Sequence, residues 1–321
     1  MDIAQLMQIL PQQLVFGITL GMIYGLIALG YTMVYGVLRL INFVHGELFM
    51  LGAYVCAGLI ALIAHGVGPI NTVVLIVTLF GVFAIVGLLG VSIERIAYKP
   101  LRNATRLAPL LSALGLSLAL QAAVQLICGP QPIAFPVVFP TLRIVIGTAS
   151  FTTTQVGIIV LALMLMGGLT VFVERTRLGV LVRAVSENPR TALLLGISVD
   201  RAISVIFFIG PGLGALGGVL YASYYGVMTP TMGVIVGLKA FTAAILGGIG
   251  SIPGAMLGGL LLGFLEVFGT ALLPIVTGGW LGTEYRDIFA FTVLVIVLVF
   301  RPTGLLGESI SEETMVYKRD Y

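Results

Sequence analysis

Residues 14–38 read LVFGITLGMIYGLIALGYTMVYGVL, with no charged side chain anywhere in the run. At about 1.5 Å of rise per residue, a helix of that length is longer than the roughly 30 Å hydrocarbon core of a bilayer. Comparable runs recur at 41–64, 71–93, 108–128, 153–173, 202–226, 233–249, 254–273 and 286–300. Hydrophobic residues fill 59% of the 321 positions and charged residues only 9%, which excludes an ordinary soluble domain. The longest polar stretches reach about 28 residues, too few to bury a core of their own. The sequence therefore predicts an all-α polytopic membrane protein: a single transmembrane domain over 1–321 with eight or nine membrane-crossing helices.

Two of these runs are weak. Residues 286–300 are short for a full crossing, and 233–249 carries Lys239 and ends in GGIGSIPG. The latter is expected to be broken or re-entrant, which a membrane protein tolerates only where the irregular backbone is buried or lines a cavity. Residues 129–152 contain Pro130, Pro132, Pro136 and Pro140, which argue against a helix, whereas TLRIVIG is rich in β-branched residues. A small strand-bearing insert on the outer face is expected there.

Charge sets the orientation. Of the 16 Lys and Arg residues, twelve lie in 92–107, in 174–201 and in the C-terminal segment, while the opposite connections supply Arg143 and Arg286. The basic connections and the tail, 302–321, are accordingly expected in the cytoplasm, and the N-terminus, whose first 13 residues hold no Lys or Arg, outside. With Asp2 as its only early charge, the N-terminus reads as a true span and not as a signal peptide. Cys56 and Cys128 read as buried thiols without disulfide or metal spacing, and His45 and His65 stand apart, so no metal site is expected.

The 42 glycines are about 13% of the chain, against roughly 7% in average usage. Gly17, Gly21 and Gly25 in the first run, and Gly210, Gly214 and Gly218 in the sixth, fall four apart, the spacing that lets helices approach closely in lipid. Tyr35-Gly36 and Tyr225-Gly226 follow these two runs and hint at an internal repeat. Polar side chains within apolar runs are costly and mark interiors or pathways, which singles out Asn42, His45, Glu47, Lys239 and Thr242. Asn42 and Glu47 fit packing and pathway roles equally, and Lys239 is expected to pair with a carboxylate such as Glu266.

Between the fifth and sixth runs lies RAVSENPRTALLLGI, residues 183–197. Ser186 to Pro189 read as a helix start and Gly196 as its stop. From physics alone a solvated loop explains it as well as a docking helix does. The stretch resembles the cytoplasmic coupling loop of ABC importer permeases in the branched-chain amino acid and ribose permease superfamily. The likeness extends through residues 30–54, SIERIAYKPLR (92–102), KAFTAAILGGIGSIPGAMLGGLLLG (239–263), EYRD (284–287) and RPTGLLG (301–307). The resemblance implies a permease subunit of the bacterial inner membrane, forming half of a translocation pathway for branched-chain or other neutral amino acids. Glu187, Asn188, Pro189, Arg190, Ala192, Leu195 and Gly196 would then meet an ATPase, Ala192 and the leucines forming an apolar face. It implies a second homologous permease in a heterodimer, two cytoplasmic ATPases, a periplasmic or lipid-anchored binding protein, surrounding membrane lipid and no nucleic acid. No catalytic residue and no cofactor are expected in this chain, which lacks a G-x-x-x-x-G-K-[ST] loop; ATP and Mg would be used by the partner ATPases. Urea or a short amide is an alternative cargo. A proton-coupled secondary transporter would need a titratable relay, for which Glu47 and Glu266 are the thin candidates.

Overall fold

A computed structural model describes residues 3–40, 42–67, 72–102, 104–105, 107–137, 142–146, 148–280, 286–301 and 303–307. The main helices are α1 (Ile3–Leu38), α2 (Val44–Val67), α3 (Thr72–Ile93), α4 (Leu107–Cys128), α5 (Thr153–Arg175), α8 (Val199–Tyr225), α9 (Met232–Gly247), α10 (Ile252–Val276) and α11 (Arg286–Phe300). Two short helices, α6 (Arg177–Glu187) and α7 (Pro189–Leu194), connect α5 to α8. Among the described residues seven helices are long and apolar enough to cross a membrane, making this an all-α multi-pass membrane protein. The two weak runs are the two short helices: α9 has 16 residues and α11 has 15, or about 24 and 22 Å of helix.

Helices α1 and α8 form the buried centre and are packed by small residues. Gly17, Gly21 and Gly25 of α1 lie against Phe264, Leu260 and Met256 of α10, while Gly259 and Gly263 of α10 press back onto Gly25 and Gly21. A Cβ at Gly263 would strike the backbone of Gly21, so the antiparallel α1–α10 contact depends on glycine from both sides. On α8, Gly210 meets Gly30, Gly214 meets His45 and Gly218 meets the carbonyl of Phe49. All six glycines singled out in the sequence are thus at close approaches between helices. Pro211 lies inside α8 and packs beside Gly90 of α3.

The first helix ends where Arg39 takes a left-handed backbone conformation, φ 51°. The chain then turns back on itself, and His45 at the start of α2 lies beside Gly30. Gly30 precedes the end of α1 by eight residues, so α2 begins about 12 Å inside the helical layer. The second reversal is comparable. Gly226, φ 71°, stops α8, and α9 begins with Gly233 against Gly46 and Glu47 of α2. In both units a Tyr-Gly pair stands at or near the end of the first helix, and the second helices meet at their N-terminal ends.

The segment 129–152 contains strands and no helix among its described residues. β2 (Arg143–Ile146) and β3 (Ala149–Thr152) form an antiparallel hairpin. The two-residue strand β1 (Ile133–Ala134) pairs with β4 (Val227–Met228), and Phe135 N–H donates to the Gly226 carbonyl at 3.0 Å. These bonds satisfy backbone freed by the break after α8, which an apolar surrounding would leave at high cost. Pro140 lies outside the described residues, as does the tail from 308. Cys56 is buried as expected, but Cys128, the last residue of α4, is exposed, because α4 packs along only part of its surface.

The basic connections converge at one end. Lys99 and Arg102 both reach Asp200 at the start of α8, at 2.8 and 2.6 Å, and Arg102 also pairs with buried Glu94. At the same end, residues 303–307 fold over the end of α9: Leu305 and Leu306 N–H donate to the carbonyls of Leu246 and Gly247, each at 2.9 Å. These are two of the last carbonyls of α9, which have no partner within the helix.

Candidate coupling and pathway sites

The stretch 183–197 holds the end of one helix, the whole of α7, and its stop. Ser186 and Glu187 finish α6, and Asn188 opens α7 as its cap, its side-chain oxygen accepting from Arg190 and Thr191 N–H at 3.0 and 3.1 Å. Pro189 occupies the first helical position, where it gives up no internal hydrogen bond. Gly196 terminates the helix with φ 78°, and Ile197 N–H bonds back to the Ala192 carbonyl at 2.9 Å. The helix start therefore sits at Asn188, two residues beyond Ser186, because the Asx side chain reaches the free amides and Glu187 belongs to the turn before.

The orientation of α7 sorts its residues. Ala192 is 2% exposed and turned inward, while Leu193, Leu194 and Leu195 are 59%, 88% and 73% exposed. Ala192 thus anchors the helix, and the three leucines form its outward apolar face. Beneath them α6 is amphipathic, with Gly179, Val182 and Val185 buried and Arg177 and Arg183 on its surface. These leucines form an exposed apolar patch on a short, well-capped helix at the basic end.

The polar residues of the helical core are buried: Asn42, His45, Glu47, Lys239, Thr242 and Glu266 are all at most 6% exposed. Lys239 of α9 donates to Glu266 of α10 at 2.8 Å, the pairing expected from sequence. Tyr24 of α1 donates to the other carboxylate oxygen at 2.7 Å. Three helices thereby share one ion pair in an apolar layer, where each partner would be costly alone. Thr242 donates to the Leu238 carbonyl at 2.9 Å within its own helix.

Asn42 fixes the sunken start of α2, its side-chain oxygen accepting from Val44 N–H at 3.1 Å and from the Tyr98 hydroxyl at 2.6 Å. His45 stacks edge-on against Tyr31 with ring centroids 4.5 Å apart and fits against Gly30 and Gly214. Glu47, in the first turn of α2, accepts from Ser117 of α4 at 3.1 Å on one oxygen, and its other oxygen has no hydrogen-bond partner among the described residues. A small cleft nearby is lined by Tyr31, Tyr35, Leu40, Asn42, Phe241, Ala244 and Ile249. The structure thus gathers Asn42, His45 and Glu47 at one end of α2 and ties Lys239 to a separate carboxylate. Tyr24, Tyr98 and Ser117 were not picked out from sequence: Tyr24 and Ser117 are hydroxyls within apolar runs, the same signal that marked Thr242, whereas Tyr98 lies in the basic connection SIERIAYKPLR, where a hydroxyl carries no such signal.

The family described as branched-chain amino acid transport system / permease component matches residues 13–298. The chain is 46% identical to the high-affinity branched-chain amino acid transport system permease protein BraD of Pseudomonas aeruginosa, over 92% of this chain and 95% of BraD. It is 45% identical to the permease protein LivH of the corresponding Escherichia coli system, with the same coverage of both chains. The xylose transport system permease protein XylH of Escherichia coli is a more distant relative, 31% identical over 34% of this chain and 29% of XylH. No solved structure matches. On this near full-length likeness, the chain belongs to the branched-chain amino acid permease family of transport systems.

Proposed function

We propose that this chain is the permease subunit of a binding-protein-dependent ABC importer for branched-chain amino acids, forming half of the translocation pathway. The likeness to BraD and LivH along almost the whole chain carries this reading. It implies energy from ATP hydrolysed with Mg by two cytoplasmic ATPases, a second homologous permease as heterodimer partner, and a periplasmic or lipid-anchored binding protein that delivers the substrate. The chain itself has a transport role and no catalytic one. It sits in the bacterial inner membrane with the basic end and C-terminus in the cytoplasm and the N-terminus outside, as the distribution of Lys and Arg supports. The insert at 129–152 then lies on the outer face, where it can meet the binding protein.

In this reading α7 is the coupling helix. Leu193 to Leu195 enter an apolar cleft of an ATPase subunit, Asn188, Pro189 and Gly196 hold the helix in shape, and Glu187 and Arg190 flank it. A relay linking Glu47 to Glu266 is disfavoured because both Glu266 oxygens are engaged, one by Lys239 and one by Tyr24.

The test is the double substitution Leu194→Asp and Leu195→Asp. Both side chains are exposed, so insertion and folding should be unaffected. ATPase co-purification and ATP-driven uptake should fall together. If this variant binds its ATPases and transports at the wild-type rate, 183–197 is a solvated loop and the coupling assignment is wrong.

A further inference from the structure

Glu47 is fully buried, 0% exposed, yet among the described residues only one of its oxygens accepts a hydrogen bond. A carboxyl oxygen left without a partner in an apolar layer is expensive, and such residues mark functional sites in membrane proteins. Among the described residues, glycine backbone and no side-chain donor packs against that oxygen. Gly233, in the first turn of α9, faces it, and a Cβ there would lie 2.6 Å from Oε2. Gly46 and Gly237 bring α2 and α9 together directly beside it, with the Tyr31 hydroxyl at the same crossing. Ser117 holds Oε1, which fixes the carboxyl plane without occupying Oε2. Neither Lys239 nor any other basic side chain forms a salt bridge to Glu47 among the described residues.

We propose that the junction of the α2 and α9 N-terminal ends is a site for the ammonium group of the transported amino acid, received by Glu47 Oε2. This rests on the amino-acid permease reading above. A zwitterion crossing an apolar layer needs compensation for both ends, and a buried carboxylate with one free oxygen offers it to the cationic end. Tyr31, whose hydroxyl reaches the α2–α9 crossing, also lines a small cleft with Tyr35 and Phe241, and these rings suit an apolar side chain. Asn42 lines the same cleft, and its amide nitrogen is buried without a hydrogen-bond partner, a donor free for the carboxylate end. The cleft is small and Glu47 does not line it, so the proposed site requires α9 to move off α2 at the Gly46–Gly233 contact when substrate enters.

The experiment uses the complete transporter in proteoliposomes with its ATPases and binding protein, comparing wild type with Glu47→Gln, Glu47→Asp and Glu47→Leu. Glu47→Gln keeps the shape of the side chain and an acceptor for Ser117 but removes the charge. It should cut ATP-driven leucine uptake by about tenfold or more while ATP hydrolysis stays within roughly twofold of wild type. Glu47→Asp should retain part of the uptake with a raised KM. The thermal midpoint of the purified Glu47→Gln complex should be unchanged or higher, since an uncompensated buried charge is gone. Wild-type uptake by Glu47→Gln would overturn the proposal, and so would a midpoint lowered as far as in Glu47→Leu, which would show a structural role. If wild type itself shows no ATP-driven leucine uptake, the cargo assignment fails instead, and the midpoints still decide whether the carboxyl is structurally committed.

Discussion

Glu266 and Glu47 are both carboxyls in the helical core, both at most 3% exposed, and they are treated in opposite ways. Glu266 is closed off: Lys239 takes one oxygen, Tyr24 takes the other, and three helices are joined through it. Glu47 has a single serine on one oxygen and glycine backbone facing the other. In lipid-facing protein a charge persists either because it is fully compensated or because something else will compensate it. The first case serves architecture, holding the short α9 against α1 and α10. The second leaves an interaction in reserve, at the crossing where Gly46 of α2 meets Gly233 and Gly237 of α9.

The contrast can be broken at its strong end first. Lys239→Met strands Glu266 and should cost about 3–5 kcal/mol, enough to lose most folded protein in detergent. Monodisperse yield and the thermal midpoint read this directly, and adding Glu266→Gln should restore much of the loss. Tyr24→Phe removes one hydrogen bond to the same carboxylate and should cost about 1.5–3 kcal/mol by thermal or denaturant unfolding. Ser117→Ala removes the hydrogen bond that orients Glu47 and should cost about 1–3 kcal/mol, less than Lys239→Met because it strands no opposite charge. Its effect should also appear in transport, as a raised KM for leucine uptake with ATP hydrolysis unchanged. A stability loss for Ser117→Ala as large as that for Lys239→Met would erase the distinction between the two carboxyls.

Outside the core, Asn188→Ala should cost about 1 kcal/mol, the usual worth of a helix cap. Because α7 is short and outside the helical layer, the loss should show as faster hydrogen exchange over 189–196 and weaker ATPase co-purification. An unchanged exchange rate would mean that the cap does not hold the helix.

Much of this was legible in the sequence because lipid imposes simple rules. Long apolar runs give helices, glycines four apart give close crossings, and a lysine in an apolar run needs a carboxylate; 14–38, Gly17 to Gly25 and Lys239 with Glu266 all follow. The prolines of 129–152 excluded a helix, and Gly196 marked a stop. What could not be read depends on distant partners. The α1–α2 break is made at Arg39, a residue type that seldom adopts a left-handed conformation, so no local signal gives the depth at which α2 begins. Ala192 looks equivalent to Leu195 in composition, and only the packing of α7 onto the chain below shows that one faces in and the other out. The pairing of β1 with β4 joins residues nearly a hundred positions apart, and short strands carry too little pattern to announce it. Glu47 and Glu266 likewise look alike as isolated acids in apolar runs, and their difference exists only in three dimensions.

The most direct test of the permease reading is uptake by proteoliposomes holding this chain in three compositions, alone, with a partner permease and ATPases, and with the binding protein added, each with and without ATP. Leucine should accumulate only when the partner permease, the ATPases, the binding protein and ATP are all present, and the Leu194→Asp, Leu195→Asp variant should abolish that accumulation. Leucine accumulating through this chain alone, without ATP, would contradict the reading and mark a secondary transporter.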